Sequence, residues 1–445
     1  MAAPDHRMTD AGGAVPTVHI DSLSQDGRGV ARRDGKVVFV RGALAGETVA
    51  LDGIRHRRNF DEAGVARIIE PAATRVEPRC AHFGVCGGCA FQHLALDEQL
   101  AVKEQALIDA LERVGGLKPA RLFERITGPA WQYRRKARLG AKHVPKKGHV
   151  VVGFHEANGR YVTDSSECPV LDWPDEHLPT LLSELIGSLE LYAQCPQVEF
   201  AAGESGAAFV FRLLGEPHAG DVGRLIAFGH EHDCAIWIQT GGPGTLRLLY
   251  GPALLNYSLP AFDLTLHFLP TDFVQVNAAV NRRLVAAAIE RLALPPAARV
   301  LELYSGIGNF SLAFARKVKE VVSVEGEPVL VQRARANARA NNITNVAHHA
   351  ADLSVVPPGA PWLQGRYEAV LLDPPRSGAR AVIPELHRLG TERILYVSCH
   401  PATLARDAAD LDAAGFALDG AGVADMFPHT SHAEAMALFV RRQER

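Results

Sequence analysis

Cysteine is scarce in this chain, with seven residues in 445. So few, in an odd number, do not make the disulfide framework of a small secreted domain. Long apolar runs are also missing, since no stretch approaches the roughly 18 uncharged residues that a membrane span needs. Residues 1–16 lack the apolar middle of a secretory signal, so a cytoplasmic protein with no membrane partner is expected. There is no internal repeat, and no low-complexity segment apart from Ala-rich helices. What remains is an ordinary globular composition, 47% hydrophobic and 22% charged, long enough for two or three domains.

The net charge of −3 hides an asymmetry. Residues 1–150 hold 24 Lys and Arg against 17 Asp and Glu, a balance of +7, and the remainder holds 23 against 33, a balance of −10. A basic front half on a near-neutral protein points to a polyanion partner docked at one end. The basic stretches are Arg55-His56-Arg57-Arg58, Arg134-Arg135-Lys136 with Arg138, and Lys142 to Lys147. A solvated basic face accounts for any one of them taken alone.

Along the chain, residues 17–70 alternate apolar and polar positions between frequent glycines, as a small β-barrel does. A cysteine-rich loop at 80–89 precedes an amphipathic helix over about Asp97 to Val114, ended by Gly115-Gly116. Residues 125–265 mix short strands and helices without a clear period and are read as β-rich. From Pro270 the pattern is strand-helix alternation: Arg299-Val300-Leu301-Glu302-Leu303, a glycine loop, a helix, Val321-Val322-Ser323-Val324, and a helix to Asn341. Two more apolar strands follow, Ala369 to Leu372 and Ile394 to Val397. This is the signature of a doubly wound sheet, whose ligands bind outside the carboxyl ends of the strands.

Those strand ends carry the chemistry. Tyr304-Ser305-Gly306-Ile307-Gly308-Asn309 closes the first strand, where glycines let backbone approach a ligand. Glu325 ends the next strand, nineteen residues after Gly306, placed to accept from two ribose hydroxyls. A dinucleotide would need a third glycine near position 311, where this chain has Ser311. S-adenosylmethionine, which has no phosphate, makes no such demand. Asp352 can accept from an adenine amino group and Asp373 can sit near the methionine end, although either also suits a turn cap.

Asp373-Pro374-Pro375-Arg376 and Val397-Ser398-Cys399-His400-Pro401 end neighbouring strands, so Cys399 is expected to face the cofactor. A thiolate there has a specific use, because C5 of a pyrimidine is too weak a nucleophile until a sulfur adds to C6. Expelling the sulfur afterwards needs a base. Glu434, in Asp425-Met426-Phe427-Pro428-His429-Thr430-Ser431-His432-Ala433-Glu434, is chosen over His429 and His432.

Cys80, Cys86 and Cys89 form C-x5-C-x2-C, and Cys168 follows far downstream before Pro169. Four thiolates hold either zinc or an iron–sulfur cluster. Gly84, Gly87 and Gly88 slightly favour the bulkier centre. Cys195 and Cys234 have no comparable partners and are read as buried thiols.

The motifs Asp373-Pro-Pro-Arg, Ser398-Cys-His-Pro401 and Phe427-Pro-His-Thr-Ser-His-Ala-Glu434 together resemble the signature of the RNA uracil-C5 methyltransferases, which form 5-methyluridine. The resemblance implies Cys399 as nucleophile and Glu434 as proton acceptor. It implies cofactor contacts at Gln275 (in Asp272-Phe-Val-Gln-Val-Asn277), Tyr304, Asn309, Glu325, Asp352 and Asp373. It also implies a [4Fe-4S] cluster on Cys80, Cys86, Cys89 and Cys168, and RNA contacts by the arginines of Trp131-Gln-Tyr-Arg-Arg-Lys136. The barrel is similar to a TRAM domain, an OB-like RNA-binding module in which Phe39, Phe60, Arg55, Arg57 and Arg58 are candidate contacts; alternation makes Phe39 the better core residue.

The expected fold is therefore α/β and β. An OB-like barrel (TRAM) spans 15–75, and a β-rich central domain with the cluster cysteines spans 76–96 and 125–268. A Rossmann-like class I methyltransferase domain spans 97–124 and 269–445. The expected substrate is 23S rRNA and the expected state a monomer, because barrel plus cluster resembles the ribosomal enzymes, whereas the transfer RNA branch is expected to lack these additions. The competing readings are the same chemistry on tRNA, an RNA cytosine-C5 methyltransferase, a non-catalytic cluster-containing RNA-binding protein and, more distantly, a nicotinamide dehydrogenase.

Overall fold

The computed structural model describes residues 15–357 and 359–442. It divides into two compact units, one of residues up to 78 with 90–98, the other of 79–89 with 99 onward.

In the first unit, β1 (Thr17–His19), β2 (Ser22–Leu23), β3 (Gly29–Arg33), β4 (Lys36–Arg41), β5 (Thr48–His56) and β6 (Phe60–Glu70) form one sheet in the order β1-β5-β6-β4-β3-β2. Three irregularities in the β5–β6 pairing bend it over a core of Val18, Ile20, Val38, Val40, Val49 and Leu51. Alternation along β4 sends Val38 and Val40 inward, so Phe39 faces the other way, correcting its expected place in the core. Its half-buried ring meets Phe60 edge-on at 5.4 Å and lies 4.5 Å under the Arg28 guanidinium.

The second unit begins with the cysteine loop and the part of α1 (Leu96–Arg113) from Gln99 onward, which buries Leu100, Leu107 and Leu111 along one stripe. After the two-residue β7 (Arg121–Leu122) comes a mixed sheet of β8 (Lys136–Val144), β9 (His149–Gly153), β10 (Gln197–Gly203), β11 (Gly206–Arg212), β12 (Cys234–Gln239) and β13 (Leu246–Tyr250). Its order is β13-β12-β11-β10-β8-β9. Helices α2 (Leu178–Ser188) and α3 (Ala219–Glu231) cover it, so the middle of the chain is α/β in detail rather than simply β-rich.

The hairpin β14 (Leu255–Leu259) and β15 (Leu264–Phe268) leads to α4 (Ala278–Leu292). A second, larger sheet follows: β16 (Arg299–Leu303), α5 (Ser311–Ala315), β17 (Glu320–Glu325), α6 (Pro328–Ala340), β18 (Val346–Ala350), β19 (Ala369–Leu372), α7 (Ile383–Leu386), β20 (Arg393–Ser398), α8 (Pro401–Ala413), β21 (Phe416–Ala424) and β22 (Glu434–Arg441). Its order is β18-β17-β16-β19-β20-β22-β21-β7. Strands β16 to β20 are parallel, and β22 inserts antiparallel between β20 and β21. Parallel strands covered on both faces need apolar side chains throughout, and β19 and β20 are buried almost end to end.

The hairpin, assigned from the sequence to the central domain, is bonded to α6: Asn337 and Asn341 receive the His267 and Thr265 amides at 2.9 Å. One apolar core runs from the central sheet (Val210, Trp237) through the hairpin (Leu266, Phe268) to the larger sheet (Val300, Leu371).

Candidate active site

Between β16 and β19 the chain turns to opposite sides of the sheet, and at this switch point a ligand crevice is expected. A cleft of about 870 Å³ opens there. Gln275, Tyr304, Asn309, Glu325, Asp352, Asp373, Cys399 and Glu434 all line it. Residues drawn from over 150 positions of chain thus meet in one place, because most of them lie where strands of the sheet end or begin.

The glycine loop is shaped tightly. Tyr304, φ 66°, adopts the left-handed region in spite of its side chain, and Gly308, φ 97°, does so where a Cβ would lie 3.1 Å from Leu312. Glu325 accepts from the Gly306 and Glu327 amides at 2.9 and 3.0 Å, so it fixes the loop while lining the cleft. Asp352 both caps and faces the cleft, because its Oδ1 takes the Ser354 amide and hydroxyl. The Asn309 amide exchanges hydrogen bonds with Asn281 at 2.9 Å in both directions and accepts from Tyr257. It is held rigidly by the protein.

Cys399 follows β20 and precedes α8, whose N-terminus His400 caps by accepting from the Thr403 amide. A helix N-terminus favours a thiolate. Burial pushes the Cys399 thiol up and the charge of Glu434 adds to this, while the hydrogen bond and charge of Arg376 pull it down. Glu434 begins β22, is 3% exposed, and is held well above the usual carboxylate range by burial and by the charge of Asp373. Burial, with Glu325 contributing, pushes Asp373 up to about 7. Such a group can exchange a proton near neutrality.

Two features were not assigned roles from the sequence. Arg376 was visible as part of a motif, yet only the fold puts its side chain on Cys399. Glu302, fully buried in β16, bonds through Oε2 to the Ser311 hydroxyl; its Oε1 has no hydrogen-bond partner among the described residues, and burial raises it to about 8. A lone acid in an apolar strand was the available signal. Ser311, read above as a missing glycine, is its partner.

His429 and His432 do not line the cleft among the described residues. His429 packs on Trp131, ring centroids 3.9 Å apart, and burial lowers it to about 4. The basic run also differs from expectation. Arg135 is buried, donating through Nε to the Gln275 carbonyl at 2.7 Å, and Lys136 donates to the Pro270 and Asp272 carbonyls at 2.6 Å. Instead of facing RNA, these two cations clamp the segment that carries Gln275 through its carbonyls, with the Arg135 guanidinium over the Tyr257 ring.

Cys80, Cys86, Cys89 and Cys168 share a neighbourhood. Burial raises the Cys168 thiol to about 12, and the charges of Cys89, Cys86 and Cys80 each add to this. Gly88 donates to Cys86 Sγ at 3.4 Å, and a Cβ on Gly88 would lie 3.1 Å from Phe154 and 3.4 Å from that sulfur. Soft donors around a cradle with no room for side chains fit a sulfur-ligated centre. Among the described residues, no three His, Cys, Asp or Glu side chains stand as ligands of a single metal ion. Cys195 and Cys234 are buried. No described helix is long and apolar enough to cross a membrane.

The sheet order, the cleft at its switch point and the glycine loop without a third glycine define a Rossmann-like methyltransferase domain. Comparison with known proteins sharpens this. The family model "tRNA (Uracil-5-)-methyltransferase" matches residues 257–354 and 363–442, and "TRAM domain" matches 12–51. A protein of Alkalilimnicola ehrlichii named 23S rRNA (uracil(1939)-C(5))-methyltransferase RlmD is 45% identical over 96% of this chain and 97% of its own. One of Aromatoleum aromaticum with the same name is 47% identical over 96% of this chain and all of its own. The chain belongs to the RNA uracil-C5 methyltransferase family, with an N-terminal TRAM domain.

Among solved structures, the Pyrococcus abyssi tRNA (uracil-54, C5)-methyltransferase in complex with S-adenosyl-L-homocysteine has the same fold. The TM-score is 0.73 at 22% identity, covering 96% of this chain and all of that one. A protein named for tRNA thus shares the architecture nearly end to end.

Proposed function

We propose that the protein methylates C5 of a uridine in 23S rRNA, in the cytoplasm and as a monomer, with S-adenosylmethionine as methyl donor. The observation that carries the reading is the convergence of Cys399, Glu434, Asp373 and the glycine loop on one cleft. The choice of 23S rRNA rests on the names of relatives 44 to 47% identical over at least 95% of the chain.

S-adenosylmethionine, when bound, supplies an electrophilic methyl group; Gln275, Tyr304, Asn309, Glu325, Asp352 and Asp373 would hold it. The target uridine leaves its stack to enter the cleft. Arg376 favours the Cys399 thiolate, which adds to C6 and makes C5 an enolate carbon able to take the methyl. Glu434 then removes the C5 proton, the C5–C6 double bond re-forms and the sulfur leaves. A carboxylate whose proton affinity is raised by burial and by Asp373 suits that last step.

Labelled S-adenosylmethionine offered separately with 23S, 16S and transfer RNA should label 23S alone. Label in transfer RNA alone would overturn the substrate assignment, and label in none would overturn the activity.

We infer further that Cys80, Cys86, Cys89 and Cys168 hold a [4Fe-4S] cluster. The shared neighbourhood of the four thiols and the glycine cradle support this. Such a centre would tie the cysteine loop to the Cys168 segment, far from any electron-transfer task in methyl transfer.

A further inference from the structure

The segment 425–430 precedes Glu434, and its backbone is tied from two separate elements. From α1, Lys103, 1% exposed, donates to Asp425 Oδ1 at 2.7 Å and to the Phe427 carbonyl at 2.9 Å. Gln99 accepts from the His429 amide at 2.8 Å. From the other side, the Tyr133 hydroxyl, buried, donates to the Pro428 carbonyl at 2.9 Å, and Trp131 packs on the His429 ring. His429 sits at φ 64°, a conformation a side chain rarely adopts and one that persists only where surroundings impose it.

Segment 131–135 is itself anchored. Gln132 and Arg134 donate their amides to the Pro169 and Val170 carbonyls at 3.0 and 2.8 Å, and Arg134 accepts from the Asp172 amide. On its far side the Arg135 amide donates to the Val276 carbonyl at 2.9 Å. One short stretch therefore joins three others: the segment after Cys168, the segment carrying Gln275, and the turn before Glu434. The Tyr133 hydroxyl ties it to the backbone of that turn, and loss of this hydroxyl would leave the Pro428 carbonyl buried without that donor.

We propose that Tyr133 is a positioning residue for the last chemical step: through Pro428 it sets where Glu434 stands relative to the C5 proton. It is not among the described residues that line the cleft. The inference rests on Glu434 being the base. If that base is misplaced, C6–S formation and methyl transfer still proceed, whereas removal of the C5 proton and departure of the Cys399 sulfur slow down. The methylated RNA then stays bonded to the protein.

The test is a single-turnover reaction of the full chain with labelled S-adenosylmethionine and 23S rRNA, in wild type, Tyr133→Phe and Glu434→Gln. The readout is the ratio of label in a covalent protein–RNA band to label in free RNA on a denaturing gel. Being a ratio over reacted molecules, it does not depend on the fraction folded. Tyr133→Phe should slow release about tenfold, the effect of roughly 1.4 kcal/mol on one barrier, with KM for S-adenosylmethionine within about twofold of wild type. Release at the wild-type rate, or slower methyl transfer with no covalent band, overturns the proposal. If Glu434→Gln stalls and Tyr133→Phe does not, positioning by Tyr133 fails alone. If Glu434→Gln also releases normally, the assignment of the base fails with it.

Discussion

Cys399 and Cys168 are both shielded thiols in one chain, and the charges around them differ. Cys399 has a guanidinium bonded to it, stands before a helix N-terminus, and feels the charges of two carboxylates, Glu434 and Asp373. Cys168 has three other thiols for neighbours, and every one of their charges raises it further. A thiol with a cation beside it can ionise alone and attack carbon. Around Cys168, the proposed metal centre would supply the positive charge that the neighbouring thiols lack. Cysteine spacing suggested this division, and the local charges give its physical reason.

The contrast can be broken most severely at Cys399. Cys399→Ala should lower methyl transfer by roughly 10⁴-fold or more, as removal of a covalent nucleophile does, with iron content unchanged; equal labelling by this variant ends the covalent mechanism. Cys168→Ser should do the reverse to the metal. Anaerobically purified protein should lose more than about half its iron and its broad visible absorption, whereas Cys195→Ser should keep both. Zinc without visible absorption in the parent protein would overturn the cluster.

A smaller effect is expected at Arg376. Arg376→Leu removes the influence that lowers the Cys399 thiol, so alkylation of that thiol near neutral pH should slow about tenfold for each unit its pKa rises. The rate profile should move to higher pH; an unmoved profile would mean that the helix N-terminus suffices.

The smallest expected effect is on stability. Asp373 is raised to about 7 in the folded chain, against about 3.9 when unfolded. Between those values the folded state binds the extra proton, so this group's contribution to stability falls as pH rises from about 4 to about 7. Melting temperature should decline over that window in the ligand-free protein, and Asp373→Asn should flatten the decline. An unchanged slope would mean that Glu302 and Glu434 carry it.

The sheet strands could be read closely from the sequence because they are short apolar runs ending in loops of distinctive residues. Ala369 to Leu372 is recovered to the residue. The first sheet and the helix after the cysteine loop were legible for the same reason, periodicity. Phe39 was misplaced because a two-residue period says which residues share a face and not which face is inward; Val38 and Val40 decide that. Arg135 and Lys136 read as an RNA-facing surface because charge is usually solvated, and nothing local announces that the Gln275 segment will pass over them. The hairpin 255–268 was ambiguous because its partners, Asn337 and Asn341, lie some 70 residues onward.

Residue identity and spacing alone determined which chemical groups this protein has: a thiol before Pro401, acids at the strand ends, four cysteines in a three-plus-one pattern, and a loop unsuited to a pyrophosphate. Spacing records what is close in the chain, and covalent distance bounds it. Which groups meet was decided only by the tertiary structure. It brought Arg376 onto Cys399, set Asp373 against Glu434, turned two basic residues inward and tied the turn before Glu434 to Tyr133. Those contacts join residues dozens to hundreds of positions apart, and their effect on proton affinity comes from burial, which no local pattern specifies.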